Sequence, residues 1–320
     1  MDKSSIKSII VSALLVILVL FPFEESIKFG ILIFGLLLIV FIKRGMFYFL
    51  KANKLYNLGN TKAARPLFVK ACKVGIIGSY EIKAAAFLMQ SGYTEDAKKI
   101  LNKIIKIGYK KIIVLARMLL SLCYWSDKDV KGAIKIAEEL VAEGNTDKNL
   151  LLSLAQYYIA DEQLDKFFKL TESLEEEAIN TPAGIDTLAM FNILKGNWKK
   201  ASTQLKNLLS KRHNFADPYL HYAQVHIHFK NFKEALEILH RCLNECQFKD
   251  NAVISNMAIL SLIQSIKENS EEVYNLNESN PFAIIGGKYI LNDIKTYEEE
   301  EEEINTALSD ADEEWLKKHN

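Results

Sequence analysis

Backbone breakers and cysteines are scarce in this 320-residue chain, which has five prolines, fourteen glycines and four cysteines. That scarcity excludes collagen-like and low-complexity chains and leaves room for long uninterrupted helices. The cysteines Cys72, Cys123, Cys242 and Cys246 include no CxxC pair, and a chain of this length needs no disulfide staples, so reduced thiols are expected. Also missing are GxxxxGK, GxGxxG, GxSxG and HExxH, the patterns that cradle phosphate, hold a dinucleotide, raise a serine nucleophile or bind zinc. Asp161, Glu162 and Asp165 read as solvated residues around a helix turn, not as an acid–base pair. His221, His226, His228 and His240 gather in one stretch, but His226 falls on a core-facing position. His240 and Cys242 stand about 200° apart around their helix, so they cannot converge on an ion. No catalytic residue, metal or cofactor is expected.

What is present is a hydrophobic content of 49%, ample for a packed core, and a net charge of zero that hides an asymmetry. Residues 43–111 hold fifteen Lys/Arg against three Asp/Glu, whereas residues 268–320 hold fifteen acids against four Lys. The first region attracts anionic surfaces and the second repels them.

Two charge-free apolar runs, residues 8–23 with Pro22 near its end and 29–42, open the chain, separated by Glu24, Glu25 and Lys28. At about 1.5 Å per residue each is short for a hydrocarbon layer of roughly 30 Å, a gap that snorkelling lysines or local thinning would close. Two crossings are expected, with a re-entrant hairpin as the alternative. A cleaved leader fits poorly, because no small-x-small site follows the first run and a second run comes at once. Lys3 and Lys7 before the runs, and Lys43, Arg44, Lys51 and Lys54 after them, place both ends in the cytoplasm by the positive-inside bias. A multi-pass cell-membrane protein is therefore expected, with Lys43, Arg44, Lys51 and Lys54 against the lipid surface. Because this basic stretch starts at the membrane, lipid headgroups and not nucleic acid are its expected partner.

Beyond residue 45 one cadence recurs. Ala64, Ala97, Ala133, Phe167, Ala201 and Ala235 are separated by 33, 36, 34, 34 and 34 residues. A turn glycine or its substitute stands five residues before four of them, at Gly59, Gly92, Lys128 and Gly196. Upstream of each lies an apolar face centred on a small residue: Ala52, Ala85, Ser121, Ala155, Ala189 or Ala223. Each unit therefore reads as helix, tight turn, helix, since paired helices approach closely only where side chains are small. This resembles the tetratricopeptide repeat, whose period is 34 residues. The fold class expected is all-α: a helical-hairpin solenoid of six units plus a capping helix (45–266), preceded by a transmembrane hairpin (1–44) and followed by an acidic, partly helical tail (267–320). Phe167 departs from the small-residue pattern and should force its two helices to splay or shift. The two extra residues before the third unit are placed in the loop near Gly108. No unit carries the closing proline of the family.

In the family the first helix of each unit lines a concave, peptide-binding groove. Carried over residue by residue, that implies Phe49, Asn53, Tyr56, Ile82, Met89, Met118, Leu122, Trp125, Gln156, Met190, Gln224 and His228, with Leu152 and Ile193 beside them. Only Asn53 matches the Lys/Asn/Arg positions with which some members clamp a C-terminal carboxylate. An apolar groove with Met and aromatic walls suits an amphipathic helix instead. The chain's own tail is one candidate occupant, through the stripe Tyr289, Ile290, Ile294 and Tyr297. The function implied is a non-catalytic, membrane-anchored adaptor at the cytoplasmic face that binds other proteins. The alternative is a regulatory subunit that contacts a membrane enzyme or transporter through its apolar hairpin.

Overall fold

The computed structural model describes residues 24–108, 110–248 and 254–281, together with positions 9, 12, 13, 16 and 284. Most of the first apolar run, the stripe from Tyr289 to Tyr297 and the run of glutamates at 298–303 lie outside the described residues. All regular structure among the described residues is helical.

Among the described residues fourteen helices follow one another from residue 25 onward: α1 (Glu25–Asn57), α2 (Thr61–Val74), α3 (Gly78–Gln90), α4 (Thr94–Ile107), α5 (Lys110–Ser126), α6 (Val130–Ala142), α7 (Lys148–Ala160), α8 (Leu164–Glu172), α9 (Glu176–Ile179), α10 (Pro182–Leu194), α11 (Trp198–Leu208), α12 (Asp217–His228), α13 (Phe232–Glu245) and α14 (Asn256–Ser279). They pair as hairpins α1/α2, α3/α4, α5/α6, α7/α8, α10/α11 and α12/α13, and neighbouring hairpins stack in chain order. The helix-crossing residues are as the pattern requires. Ala52, Ala85, Ser121, Ala155, Ala189 and Ala223 on the first helices, and Ala64, Ala97, Ala133, Phe167, Ala201 and Ala235 on the second, are each at most 1% exposed.

One turn closes all six hairpins. Gly59, Gly92, Lys128, Glu162, Gly196 and Lys230 have φ between 55° and 78°, the left-handed region. In the first turn the Gly59 N–H donates to the Tyr56 carbonyl and the Asn60 N–H to the Leu55 carbonyl, both at 2.9 Å. The Lys230 and Asn231 N–H groups do the same to Ile227 and His226 in the sixth, again at 2.9 Å. This is the Schellman closure, which satisfies carbonyls orphaned at a helix C-terminus. Asn60 and Asn231 then accept the first bond of the next helix, from Ala64 (3.1 Å) and Ala235 (3.0 Å). Lys128, Glu162 and Lys230 carry a Cβ where glycine alone is unstrained, at a cost of roughly 1–2 kcal/mol each. Glu162 lies free on the surface, so Glu162→Gly is expected to stabilise the chain by about 1 kcal/mol after the entropy of glycine is subtracted. Urea melts should move to a higher midpoint; an unmoved midpoint would contradict the assignment of strain to this turn.

Two details differ from expectation, and a third, at Phe167, adds to it. The two extra residues of the third unit do not lie in a loop. They lengthen α5, which has 17 residues where α3, α7 and α10 have 13, because Lys110 to Ile113 offer no breaker or cap to keep them out of a helix. Phe167 is accommodated by a short second helix: α8 has only nine residues and gives way after Ser173 to the single turn α9. The array also does not end at residue 266. Ile259, Leu262, Ile263 and Ile266 bury the expected capping face, but α14 runs on to Ser279 through a kink at Asn269 (φ −152°, ψ 76°). Residues 267–279, expected in the tail, therefore belong to the folded body.

Among the described residues no single helix is long and apolar enough to cross a membrane. The second apolar run continues straight into the first repeat as α1, and the pieces Ile33–Phe41 and Lys43–Asn57, meeting at 53°, pass that test only together. The expected boundary after residue 44 thus falls inside one bent helix. Just past the bend, Gly45 is buried against the Gly75 turn, where any Cβ would run into the Gly75 carbonyl oxygen.

Candidate groove and its occupied end

The family positions divide into two sets. Asn53, Tyr56, Ile82, Met118, Leu122, Trp125 and Gln156, on α1, α3, α5 and α7, remain partly exposed on successive first helices. Phe49, Met89 and Met190 do not: they are between 1% and 8% exposed and belong to the packing between units, while Gln224, also buried, is covered by the end of the chain. Phe49 shows why, with its ring 5.7 Å from Phe68 and 5.0 Å from Tyr80 of the next hairpin. Leu152 and Ile193 are buried too. The open wall is held rigid from behind. Tyr56 stacks on Phe87 at 4.4 Å and donates to Gln90 at 2.8 Å, and Trp125 lies 5.0 Å from Tyr157. What remains exposed is an aromatic, Met- and amide-bearing surface.

At the far end the same helix face is covered by the chain itself. Asn269 is extended where the six other hairpin turns are left-handed, so residues 270–279 run onto α12. The Gln224 amide donates to the Pro281 carbonyl at 2.7 Å, and Asn277 donates to the Gln224 carbonyl at 3.4 Å. His228 stacks on Trp198 at 4.1 Å and bonds Glu278 at 2.6 Å. Lys230 pairs with Glu271 at 2.8 Å and sits 4.1 Å above the Tyr274 ring. Gln224 Oε1 and Asn277 Oδ1 are buried and have no hydrogen-bond donor among the described residues.

A buried charged cluster joins the fifth and sixth units. Asp186 and His221, each 1% exposed, are bonded through Oδ1 and Nδ1 at 2.7 Å. Burial opposes the charged imidazole, but the Asp186 carboxylate outweighs it and leaves the His221 pKa raised. Burial, and then the charge of Asp186, push the nearby Asp217 carboxyl up to about 6. The sequence held a signal for this pair. Asp186 stands three residues before its small centre Ala189, where the other units have Phe49, Ile82, Met118, Leu152 and Leu220. The histidines do not gather elsewhere: His226 packs edge-on against Tyr222 at 4.7 Å, and burial lowers its pKa. Among the described residues no group of three or more His, Cys, Asp or Glu could hold a metal.

Of the four basic residues assigned to a lipid surface, Lys51 and Lys54 are exposed on α1, while Lys43 and Arg44 are half-buried at its bend.

No protein-family model and no curated protein sequence matches the chain. Among solved structures it is similar to a tetratricopeptide repeat protein from Parabacteroides merdae, with a TM-score of 0.50 and 14% identity over 78% of this chain and 99% of that one. The TPR2AB domain of yeast Sti1, solved in complex with pHSP90, superposes with a TM-score of 0.30 and 19% identity over 73% of this chain and 98% of that one, too loosely to carry an argument. Period, hairpin closure, buried small crossings and the first of these superpositions agree: the chain folds as a tetratricopeptide-type helical solenoid.

Proposed function

We propose that the chain is a non-catalytic, membrane-anchored scaffold whose groove holds an amphipathic helix of another protein. The observation that carries this reading is the seating of residues 270–279 on α12, an internal example of a helix lying on the groove face. The open stretch upstream, from Asn53 to Gln156, presents the polarizable and aromatic surface that suits such a ligand. Anchoring is supported by α1, whose Phe29, Phe34, Leu37 and Phe41 are all more than half exposed. The lysines that follow favour the cytoplasmic side.

A photo-crosslinking residue placed in turn at Met118 and Gln156 of the full chain, in native membranes, should yield one common protein adduct. That adduct should vanish with Leu122→Glu and persist when residues 1–44 are exchanged for an unrelated anchor. Adducts of equal yield from exposed Lys169, on α8, would overturn the groove assignment, and loss on exchange of the anchor would favour a subunit held through its apolar segment.

A further inference from the structure

At the bend of α1 a cleft of about 980 Å³ opens toward α2, lined by Arg44, Lys62, Arg65, Lys70 and Lys73 with Asp96 as its one carboxylate. Lys62, Pro66, Val69 and Lys73 recur at helical spacing on one face of α2, which contains no Asp or Glu. Arg65 is neutralised by Asp96 at 2.7 Å. Arg44, Lys62, Lys70 and Lys73 have no carboxylate partner among the described residues, which leaves the cleft four positive charges. Lys70 is steadied over the Tyr48 ring at 4.5 Å, and the Arg44 guanidinium lies 3.7 Å above Phe41, the last residue before the bend. The cations thus converge at the level where the exposed apolar face of Phe34, Leu37 and Phe41 ends. An apolar helix leaving hydrocarbon meets phosphates at that depth.

We propose that this cleft binds the phosphate of an anionic phospholipid headgroup, and so sets the angle at which the solenoid leaves the membrane. The inference rests on the anchored reading above and adds to it a specific ligand site. Each cation near an anionic surface contributes roughly fivefold to binding.

Flotation of the full chain with vesicles of phosphatidylcholine alone, or with about one fifth phosphatidylglycerol, tests it. Anionic vesicles should retain the wild-type chain more strongly. Lys62→Glu with Lys73→Glu, both at exposed positions, should weaken that retention at least about tenfold and leave retention by neutral vesicles unchanged. The same reversal at exposed Lys169 and Lys206 should do neither. Circular dichroism verifies that each variant is folded. Equal retention by both vesicle types in wild type and variant would overturn the cleft while the anchor stands. Retention by neither would overturn the anchor and the cleft together. If the double variant kept the wild-type preference for anionic vesicles but lost binding of inorganic phosphate in a titration, the cleft would belong to free phosphate and the lipid would be overturned.

Discussion

Asp186→Ala is expected to destabilise the chain by about 3–5 kcal/mol, because it leaves His221 buried without its counter-charge. Replacing both residues by leucine should recover most of that loss, since two apolar groups need no partner. Urea denaturation of the two single variants and the double measures the difference. A loss below about 1 kcal/mol in Asp186→Ala would mean that the pair carries no charge. Asp217 adds a pH dependence to the same cluster. Its pKa is raised to about 6, so the folded chain holds this proton more tightly than the unfolded one. The resulting stability is fully present below the ordinary Asp value of about 4 and is lost as pH rises through about 6. His221, also raised, acts in the same sense at higher pH: its contribution is complete below the ordinary imidazole value and fades above the raised one. Asp217→Asn should therefore flatten the decline between about pH 4 and 6. A slope there identical to wild type would exclude Asp217 as its source.

Phe167→Ala is the second large effect, and it runs against the repeat's own consensus. Five of the six equivalent positions are alanine, so a repeat-averaging design would make this change as an improvement. In the fourth hairpin, however, the space is filled by the fully buried Phe167 ring, 5.7 Å from Phe168 and 6.5 Å from Phe191. Removing it leaves a cavity that the shortened α8 cannot close, at a cost of about 3–5 kcal/mol. Thermal unfolding checks this. A variant as stable as wild type would show that α8 can collapse onto α7 as the other second helices do onto their partners.

The architecture was legible because close helix crossings demand small side chains, and the alanines that meet that demand recur visibly along the chain. Legibility failed where several residue types satisfy one demand. The left-handed turn position is plain at Gly59, Gly92 and Gly196, but Glu162 and Lys230 occupy it without any compositional mark. Gly108 attracted the extra residues of the third unit because glycine favours loops, while the lysines and isoleucines that follow are content in a helix. The groove was half legible. Helical phase places a residue on a face, but whether that face stays open depends on the next hairpin, as Tyr80 does for Phe49. The pairing of Asp186 with His221 spans 35 residues, and only alignment of the units against each other exposes the acid in an apolar slot. The last helix could not be foreseen on α12, because an absent left-handed turn leaves no residue to notice.

The shared residue in each Schellman turn, ending one helix while starting the next, has an evolutionary corollary. From central small residue to following anchor the interval is twelve in every hairpin, Ala52 to Ala64 through Ala223 to Ala235. From anchor to the next centre it drifts, from 21 between Ala64 and Ala85 to 24 between Ala97 and Ser121. Changes of length within this chain therefore fall between an anchor and the next centre, in the third unit on the first turns of α5, while the crossing-to-crossing core of each hairpin keeps a fixed length and its spacing to the next one varies.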